Sequence, residues 1–367
     1  MRKPLNTSIY IDYIQSRIFK YNSSDIRNSW ILFREHINDY VRRGSCISLS
    51  APITLHVALT NVCNLSCNHC YYNFTSNAMN LSLDIIEQIS LEASKMGIHE
   101  IVLEGGEPLC HPYFLDVIKT IKSYGLSIDV LTNGTLLDST TATSLAHALD
   151  PKLDALQISI DGPKQVHDSI RGTGSYLKSI SGAHLISECL KNTRINCVYR
   201  GMKYDELCRL CEDILRKTNI RILHFSPLLP IGRTEEKKQP LSEEATEEYI
   251  CRFLKLRQQY SDKLTITGTF INDADLYALI GKPATNHGAC GCCGGRSKLY
   301  IDATGYVYPC AFLVKNTYAL GNIYTQSLRE IWSACNPALR KQLTEQSMTV
   351  NSTSEIFRCP ALKGVST

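Results

Sequence analysis

The sequence predicts an α/β fold: a partial (β/α)6 barrel of the TIM type, followed by a small C-terminal cysteine-rich domain of a β-hairpin and a helix. From about residue 54, short runs rich in Val, Ile or Leu alternate with longer segments whose apolar residues recur at helical spacing. Six such units in series indicate a parallel sheet with right-handed crossovers, and they are too few for a closed eight-unit barrel. Beyond residue 286, Gly and Cys dominate, which predicts the second domain.

The six predicted strands are four to seven residues long, and most end at Gly, Asn or Pro. They are Thr54–Leu59, Glu100–Glu104, Ser127–Thr132, Ala155–Ile160, Arg194–Tyr199 and Arg221–Phe225. Helical patterns fill the intervals between them. In folds of this kind the chemistry is expected in the loops at the C-terminal ends of the strands.

Four regions follow from these patterns. Residues 1–50 form a helical N-terminal extension to which no chemistry can be attached, and residues 51–235 form the barrel. A charged stretch from Arg233 to Pro240 predicts a linker, so residues 236–285 contain most of this linker and a helix that begins near Glu243. Residues 286–367 form the cysteine-rich domain.

Composition narrows the class of protein. In a chain of 367 residues, 44% apolar and 20% charged residues exclude a disordered chain or a coiled-coil rod, and a net charge of +4 is too small to argue for nucleic acid or an acidic membrane. Neither a secretory signal nor an 18-residue apolar window is found, which favours the reducing cytoplasm. There, grouped cysteines usually bind metal or carry chemistry, and this chain has sixteen.

The strongest motif follows the first predicted strand: Cys63, Cys67 and Cys70 are separated by three and two residues. Three thiolates from one loop can meet on one iron–sulfur cluster and leave one iron open for catalysis. Two alternatives remain open. The thiols could bind Zn²⁺ with His69 or a distant cysteine as the fourth ligand, or they could be structural.

Further motifs follow in order at successive strand ends, and together they resemble the radical S-adenosylmethionine (radical SAM) superfamily over residues 54 to 235. The second strand ends in a GGEP motif, the third in Thr132-Asn133-Gly134, and the fourth in a segment that contains Ser159 and Asp161 and leads to Arg171. This resemblance implies that SAM is bound by Gly105, Gly106, Glu107, Pro108, Asn133, Ser159, Asp161 and Arg171.

The resemblance also implies the chemistry. A [4Fe–4S] cluster with an open iron would be held by Cys63, Cys67 and Cys70, and would reductively cleave SAM to a 5′-deoxyadenosyl radical that takes a hydrogen atom from a substrate. Such an enzyme needs an electron donor such as flavodoxin or ferredoxin. Neither nucleic acid nor a membrane is expected as a partner.

The C-terminal cysteines flank a predicted hairpin, in which residues 299–301 and 306–308 surround a turn that ends at Gly305. The pattern is similar to the opening of SPASM and twitch domains, which bind auxiliary iron–sulfur clusters. Only six cysteines lie in residues 290–367, so the resemblance supports one auxiliary [4Fe–4S] cluster, as in twitch domains, with ligands Cys292, Cys310 and Cys359. The fourth ligand could be Cys293, Cys290, Cys335 or none from the protein, and a zinc-ribbon-like structural site is the alternative.

Most other cysteines are expected to be packed in the core. Two are candidate catalytic residues: Cys110, two residues past the GGEP motif, and Cys197, on the fifth strand. A thiol at either position could return a hydrogen atom to a substrate radical.

The sequence therefore predicts a radical SAM enzyme, an oxidoreductase or maturase, whose substrate is a ribosomally synthesised precursor peptide that it epimerises, cross-links or joins by a thioether. The alternative is a small-molecule dehydrogenase or epimerase that acts on a sugar or aminocyclitol in natural-product biosynthesis. A non-catalytic iron–sulfur or zinc scaffold is a third possibility, which the SAM motifs disfavour. Substrate identity, reaction outcome and oligomeric state cannot be predicted from these residues.

Overall fold

The computed structural model describes residues 49–72, 77–229, 231–234, 243–268 and 293–335. Its strands are β1 (Thr54–Thr60), β2 (Glu100–Gly105), β3 (Ser127–Thr132), β4 (Ala155–Ser159), β5 (Thr193–Tyr199), β6 (Ile222–Pro227), β7 (Thr265–Gly268), β8 (Lys298–Ile301), β9 (Tyr306–Tyr308) and β10 (Gly321–Asn322). Its helices are α1 (Leu83–Met96), α2 (Phe114–Ser123), α3 (Ser139–Ala148), α4 (Lys164–Arg171), α5 (Ser175–Cys189), α6 (Tyr204–Lys217), α7 (Glu243–Gln259) and α8 (Leu328–Ala334). The predicted N-terminal extension lies outside these residues, except at its last two positions.

The strands form one sheet in the order β10-β9-β8-β1-β2-β3-β4-β5-β6-β7. From β1 to β7 every neighbouring pair is parallel, which confirms the predicted partial barrel. Two features were not predicted. A seventh parallel strand, β7, follows α7, and the C-terminal hairpin joins the barrel sheet because β8 pairs in parallel with β1.

Local sequence explains where the helices begin and end. The Ser82 hydroxyl caps α1 by accepting from the backbone N–H of Ile85, and α1 ends at Gly97, whose φ of 76° suits a glycine. Asp138 caps α3 by accepting from the N–H of Thr141. Ser327 and Glu330 form a capping box at the start of α8.

The main hydrophobic core lies between the sheet and its helices. Strand residues alternate, so that one face contributes to this core while the other turns to the barrel interior. A second, smaller core joins the hairpin to the loop after β1, and it contains Ala58, Tyr72, Tyr300, Tyr308, Cys310, Leu313 and Tyr318. The C-terminal segment is also tied to the chain near β1, because the Trp332 indole N–H donates to the Leu49 carbonyl at 3.0 Å.

In the part of the chain that the structure describes, no helix has the length and apolar character that a membrane crossing requires.

Candidate active site

The three motif cysteines lie in the loop that follows β1, at the C-terminal end of the sheet. Cys67 is buried, whereas Cys63 and Cys70 are half-buried. Burial, with smaller contributions from the nearby charges of Glu107, Cys67 and Cys70, raises the pKa of Cys63 to about 12. The thiols are therefore close to one another, and they must lose their protons when they bind iron.

This donor set suits an iron–sulfur cluster better than a single metal ion. Among the described residues, no three His, Cys, Asp or Glu side chains converge closely enough to hold one metal ion. His69, the suggested zinc ligand, has its Nε2 3.3 Å from Asp161 Oδ2. Three thiols from one loop, with three and two residues between them, are the ligand set typical of an iron–sulfur cluster.

The GGEP loop packs directly on the cysteine loop. The N–H groups of Gly106 and Glu107 donate to the carbonyl oxygens of Thr60 and Val62, at 2.8 and 2.9 Å. A Cβ on Gly106 would lie 2.3 Å from the Val62 oxygen, so only glycine permits this approach. The glycines therefore bring the two loops together, and these two N–H groups are used within the protein.

Glu107 ties the end of β2 to the end of β3. Its carboxylate accepts from the Thr132 hydroxyl at 2.6 Å and from the Asn133 N–H at 2.7 Å. Burial raises the pKa of Glu107 to about 7 in spite of these hydrogen bonds. The carboxylate that the resemblance assigns to SAM binding is thus already bonded to β3, and its role toward SAM stays a prediction.

Asn133 connects this region to the cysteine loop. Its side-chain N–H donates to Asn64 Oδ1 at 2.9 Å, and its own Oδ1 accepts from the Thr135 hydroxyl at 2.6 Å. Asn64 follows Cys63 directly. The loops after β1, β2 and β3 therefore meet at one place, as the order of the motifs predicts.

Asp161 and Arg171 form a buried ion pair beside the same thiols. Asp161 Oδ2 lies 2.5 Å from Arg171 Nε, and its Oδ1 accepts from the Val198 N–H at 2.9 Å. Although burial opposes it, the Arg171 charge holds the pKa of Asp161 well below its usual range. Ser159, the last residue of β4, is half-buried and opposes Asn196 in the register with β5.

Two arginines outside the predicted SAM-binding set hold the outer side of the cysteine loop. Arg200, just beyond β5, donates to Asn68 Oδ1 at 2.9 Å. Arg233, beyond β6, donates to the Ser66 hydroxyl at 2.9 Å and to the Cys67 carbonyl at 3.1 Å. Both contacts cross the mouth of the barrel, so they could not be found from spacing along the chain.

Polar side chains on neighbouring strands line the barrel interior. Arg194 on β5 donates to Gln157 on β4 at 3.0 Å and to Asp129 on β3 at 2.6 Å. Among the described residues, the other Asp129 oxygen, Oδ1, is buried without a hydrogen-bond partner. Ile222, the first residue of β6, is 37% exposed.

The two candidate catalytic thiols have different surroundings. Cys197 belongs to the core between the sheet and its helices, and it alternates with Asn196 and Val198 on the opposite face of β5. This placement favours packing over the predicted hydrogen-atom donor. Cys110 is half-buried in a 3-10 turn after the GGEP loop, where burial raises the pKa of its thiol and the nearby Asn64 backbone opposes this effect. Cys110 is therefore the thiol beside the cysteine loop.

Of the three predicted auxiliary ligands, Cys292 and Cys359 lie outside the described residues. Cys310 follows β9 and is buried. Burial raises its pKa, and the Lys298 ammonium opposes this effect. Cys335 is also buried, with its sulfur 3.9 Å from the Gly295 carbonyl oxygen.

A parallel β/α sheet whose strand ends bring three thiols, a glycine loop and a buried Arg–Asp pair together defines an iron–sulfur enzyme with an adjoining ligand site. Comparison with known families agrees: the radical SAM superfamily model matches residues 57–214, and an iron–sulfur cluster-binding SPASM model matches residues 292–361. The barrel of this chain is thus a radical SAM domain, and a SPASM-type domain follows it in the sequence. Its cofactors are accordingly a [4Fe–4S] cluster, SAM and an auxiliary iron–sulfur cluster.

Known relatives are distant in sequence. The AdoMet-dependent heme synthase of Methanosarcina barkeri is 26% identical over 77% of this chain and 82% of its own length. The mycofactocin maturase MftC of Mycobacterium tuberculosis is 28% identical over 81% of this chain and 74% of its own. The crystal structure of Streptococcus suis SuiB bound to the precursor peptide SuiA superposes with a TM-score of 0.65 at 18% identity, covering 86% of this chain and 70% of SuiB.

Proposed function

We propose that this chain uses SAM to take a hydrogen atom from a ribosomally synthesised peptide, which it epimerises, cross-links or joins by a thioether. When bound, the cluster and SAM supply a 5′-deoxyadenosyl radical. The observation that carries the proposal is the meeting of the loops after β1, β2 and β3 with the Asp161–Arg171 pair at one end of the sheet.

The residues of this end have separate roles in the proposal. Cys63, Cys67 and Cys70 hold the cluster. Arg171, whose orientation is fixed by Asp161, presents a cation to the SAM carboxylate. The remaining predicted SAM contacts are Gly105, Gly106, Glu107, Pro108, Asn133 and Ser159.

In the same proposal, Cys310 is a ligand of the auxiliary cluster together with Cys292 and Cys359. Cys110 is the thiol best placed to return a hydrogen atom to a substrate radical, because it lies beside the cysteine loop. Reducing electrons come from flavodoxin or ferredoxin in the cytoplasm, and neither nucleic acid nor a membrane takes part.

The peptide substrate is supported by relatives. MftC is named a maturase, and SuiB was crystallised with a precursor peptide. The polar interior face near Asp129 and Arg194 agrees with this substrate, because a peptide amide requires both an acceptor and donors. The second candidate is a small-molecule reaction, and the heme synthase relative favours it.

The test begins with anaerobic reconstitution of the chain with iron and sulfide. SAM and dithionite are then added, with and without a short peptide encoded beside the gene, and 5′-deoxyadenosine and peptide mass are measured. The proposal predicts 5′-deoxyadenosine release that the peptide stimulates, together with a mass change in the peptide. Release without any peptide change would favour the small-molecule candidate. The matched control replaces Cys63, Cys67 and Cys70 by Ala.

A further inference from the structure

Glu104 is a buried carboxylate that none of the motifs explains. It lies in β2 immediately before Gly105, and it is 4% exposed. Its Oε1 lies 2.6 Å from His56 Nδ1, and its Oε2 accepts from the Tyr71 hydroxyl at 2.5 Å. Burial alone would raise the pKa of Glu104, but the hydrogen bonds from His56 and Tyr71 hold it below its usual value. The side chain is therefore an anion fixed between two partners.

Tyr71 joins this anion to both predicted cluster sites. It follows the ligand Cys70 directly in the chain. Its ring also meets the Phe312 ring edge-on, with ring centroids 5.3 Å apart and planes at 89°. Phe312 is two residues beyond Cys310, and both rings pack against the small core that contains Cys310.

One chain of contacts thus runs from Cys310 through Phe312 and Tyr71 to Glu104, and from Glu104 along the backbone into the GGEP loop. Its two central links join segments that are separate in sequence, because Tyr71, Phe312 and Glu104 belong to different parts of the chain. The Tyr71 hydroxyl hydrogen-bonds β2 at Glu104, while the Tyr71 ring packs against Phe312 on the hairpin side. A displacement of Phe312 would therefore move Tyr71, which is bonded to Cys70 along the chain and to Glu104, next to Gly105, by its hydroxyl.

We propose that Tyr71 and Glu104 are positioning residues that couple the C-terminal cysteine site to SAM binding at the catalytic loop. A filled C-terminal site keeps Phe312 against Tyr71, and Tyr71 then holds the cysteine and GGEP loops in the geometry that binds SAM. This inference rests on the proposed ligand role of Cys310. Because coupling is reciprocal, it is measurable as a change in SAM affinity when the C-terminal site is emptied.

The experiment uses the full reconstituted chain and Cys310→Ala to empty that site. The SAM dissociation constant is measured from the change that SAM causes in the electron paramagnetic resonance spectrum of the reduced catalytic cluster. In the otherwise native chain, Cys310→Ala is expected to weaken SAM binding about fivefold. In a Tyr71→Phe background, which keeps the ring contact but removes the hydroxyl, the same change should be less than about twofold.

Tyr124→Phe is the matched control background, because the Tyr124 hydroxyl donates to Glu87 at 3.0 Å on the exposed surface. There the effect of Cys310→Ala should stay about fivefold. If Tyr71→Phe does not load iron, Glu104→Gln, which leaves residue 71 intact and removes the anion, replaces it with the same expected result. The coupling would be overturned if Cys310→Ala weakened SAM binding equally in the Tyr71→Phe and native backgrounds, or if it weakened SAM binding in neither.

Iron content separates this outcome from a failure of the ligand assignment. Cys310→Ala should lower the iron content from about eight to about four atoms per chain. If the iron falls but SAM affinity does not respond as stated, the coupling is wrong and the assignment stands. If the iron content does not fall, Cys310 is not a ligand and both fail.

Discussion

The Arg171 guanidinium lies 2.5 Å from the carboxylate of Asp161, which has no exposed surface. Burial raises the pKa of the Cys67 and Cys70 thiols, and the Arg171 charge partly offsets this effect at both. Arg171 therefore places a positive charge beside the loop that must hold thiolates, and its effect on the Cys67 pKa exceeds the opposing effect of Asp161. The contact with Asp161, ten residues earlier in the chain, holds the Arg171 side chain inside the protein rather than at its surface.

Asp161→Ala should destabilise the protein strongly, because it leaves Arg171 buried without its partner. We expect a loss of about 3–5 kcal/mol in the free energy of unfolding, measured by urea denaturation of the cofactor-free chain. The matched control is Asp205→Ala, which removes an exposed pair with Arg209 and should cost less than about 0.5 kcal/mol. Similar losses in the two variants would show that the Asp161–Arg171 pair is not a buried anchor.

Glu107 should make stability depend on pH. Its pKa is about 7 in the folded chain against an ordinary value of 4.5, so the folded state binds more protons between these values. The stabilisation is complete below pH 4.5 and is lost as the pH rises through 7, an effect of about 3 kcal/mol. Glu107→Gln cannot titrate, so its unfolding free energy should fall less over this range. If the unfolding free energies of the native chain and Glu107→Gln changed equally with pH, Glu107 would not be the group with the raised pKa.

Gly106→Ala should prevent the GGEP loop from packing on the cysteine loop, because the new Cβ would meet the Val62 carbonyl. After reconstitution, SAM should bind at least about tenfold more weakly, equivalent to ~1.4 kcal/mol. Gly125→Ala is the control: no atom lies within 4 Å of its Cβ, and its φ of +73° gives backbone strain alone. It should lower stability without altering SAM affinity. Unchanged SAM affinity in Gly106→Ala would show that the close approach of the loops is not required.

Replacing Cys197 and replacing Cys110 should have different effects on the reaction product. Cys197→Ala should cost about 1–2 kcal/mol of stability, as a small cavity in a packed core does, and should leave the product unchanged. Cys110→Ala should instead yield a stalled or dehydrogenated product by mass spectrometry. A stalled product from Cys197→Ala, with Cys110→Ala behaving normally, would reverse the two roles.

The sequence was sufficient for features that lie close together along the chain. The short spacing of Cys63, Cys67 and Cys70 indicates that they lie in one loop. Each further motif lies at the end of its own strand, and because the strands are parallel, these ends meet at one edge of the sheet. Features that depend on contacts between residues far apart in the chain could not be predicted from the sequence. The pairing of β8 with β1 and the contact of Arg200 with Asn68 join residues more than a hundred positions apart.

The direction in which a side chain points from its strand was the second feature that could not be predicted from the sequence. Cys197 is on the predicted strand, but only the register of β5 against its helices shows that it turns away from the interior. Tyr71 and Glu104 likewise belong to no motif, because their importance comes from a hydrogen bond between the cysteine loop and β2.

The most direct test of the account is the release of 5′-deoxyadenosine by the reconstituted chain in the presence of SAM and dithionite. The native chain should release it, and Cys67→Ala should release none while remaining folded by circular dichroism. Release by Cys67→Ala at the native rate, or none from a native chain with its full iron content, would contradict the central claim that this loop carries the catalytic cluster.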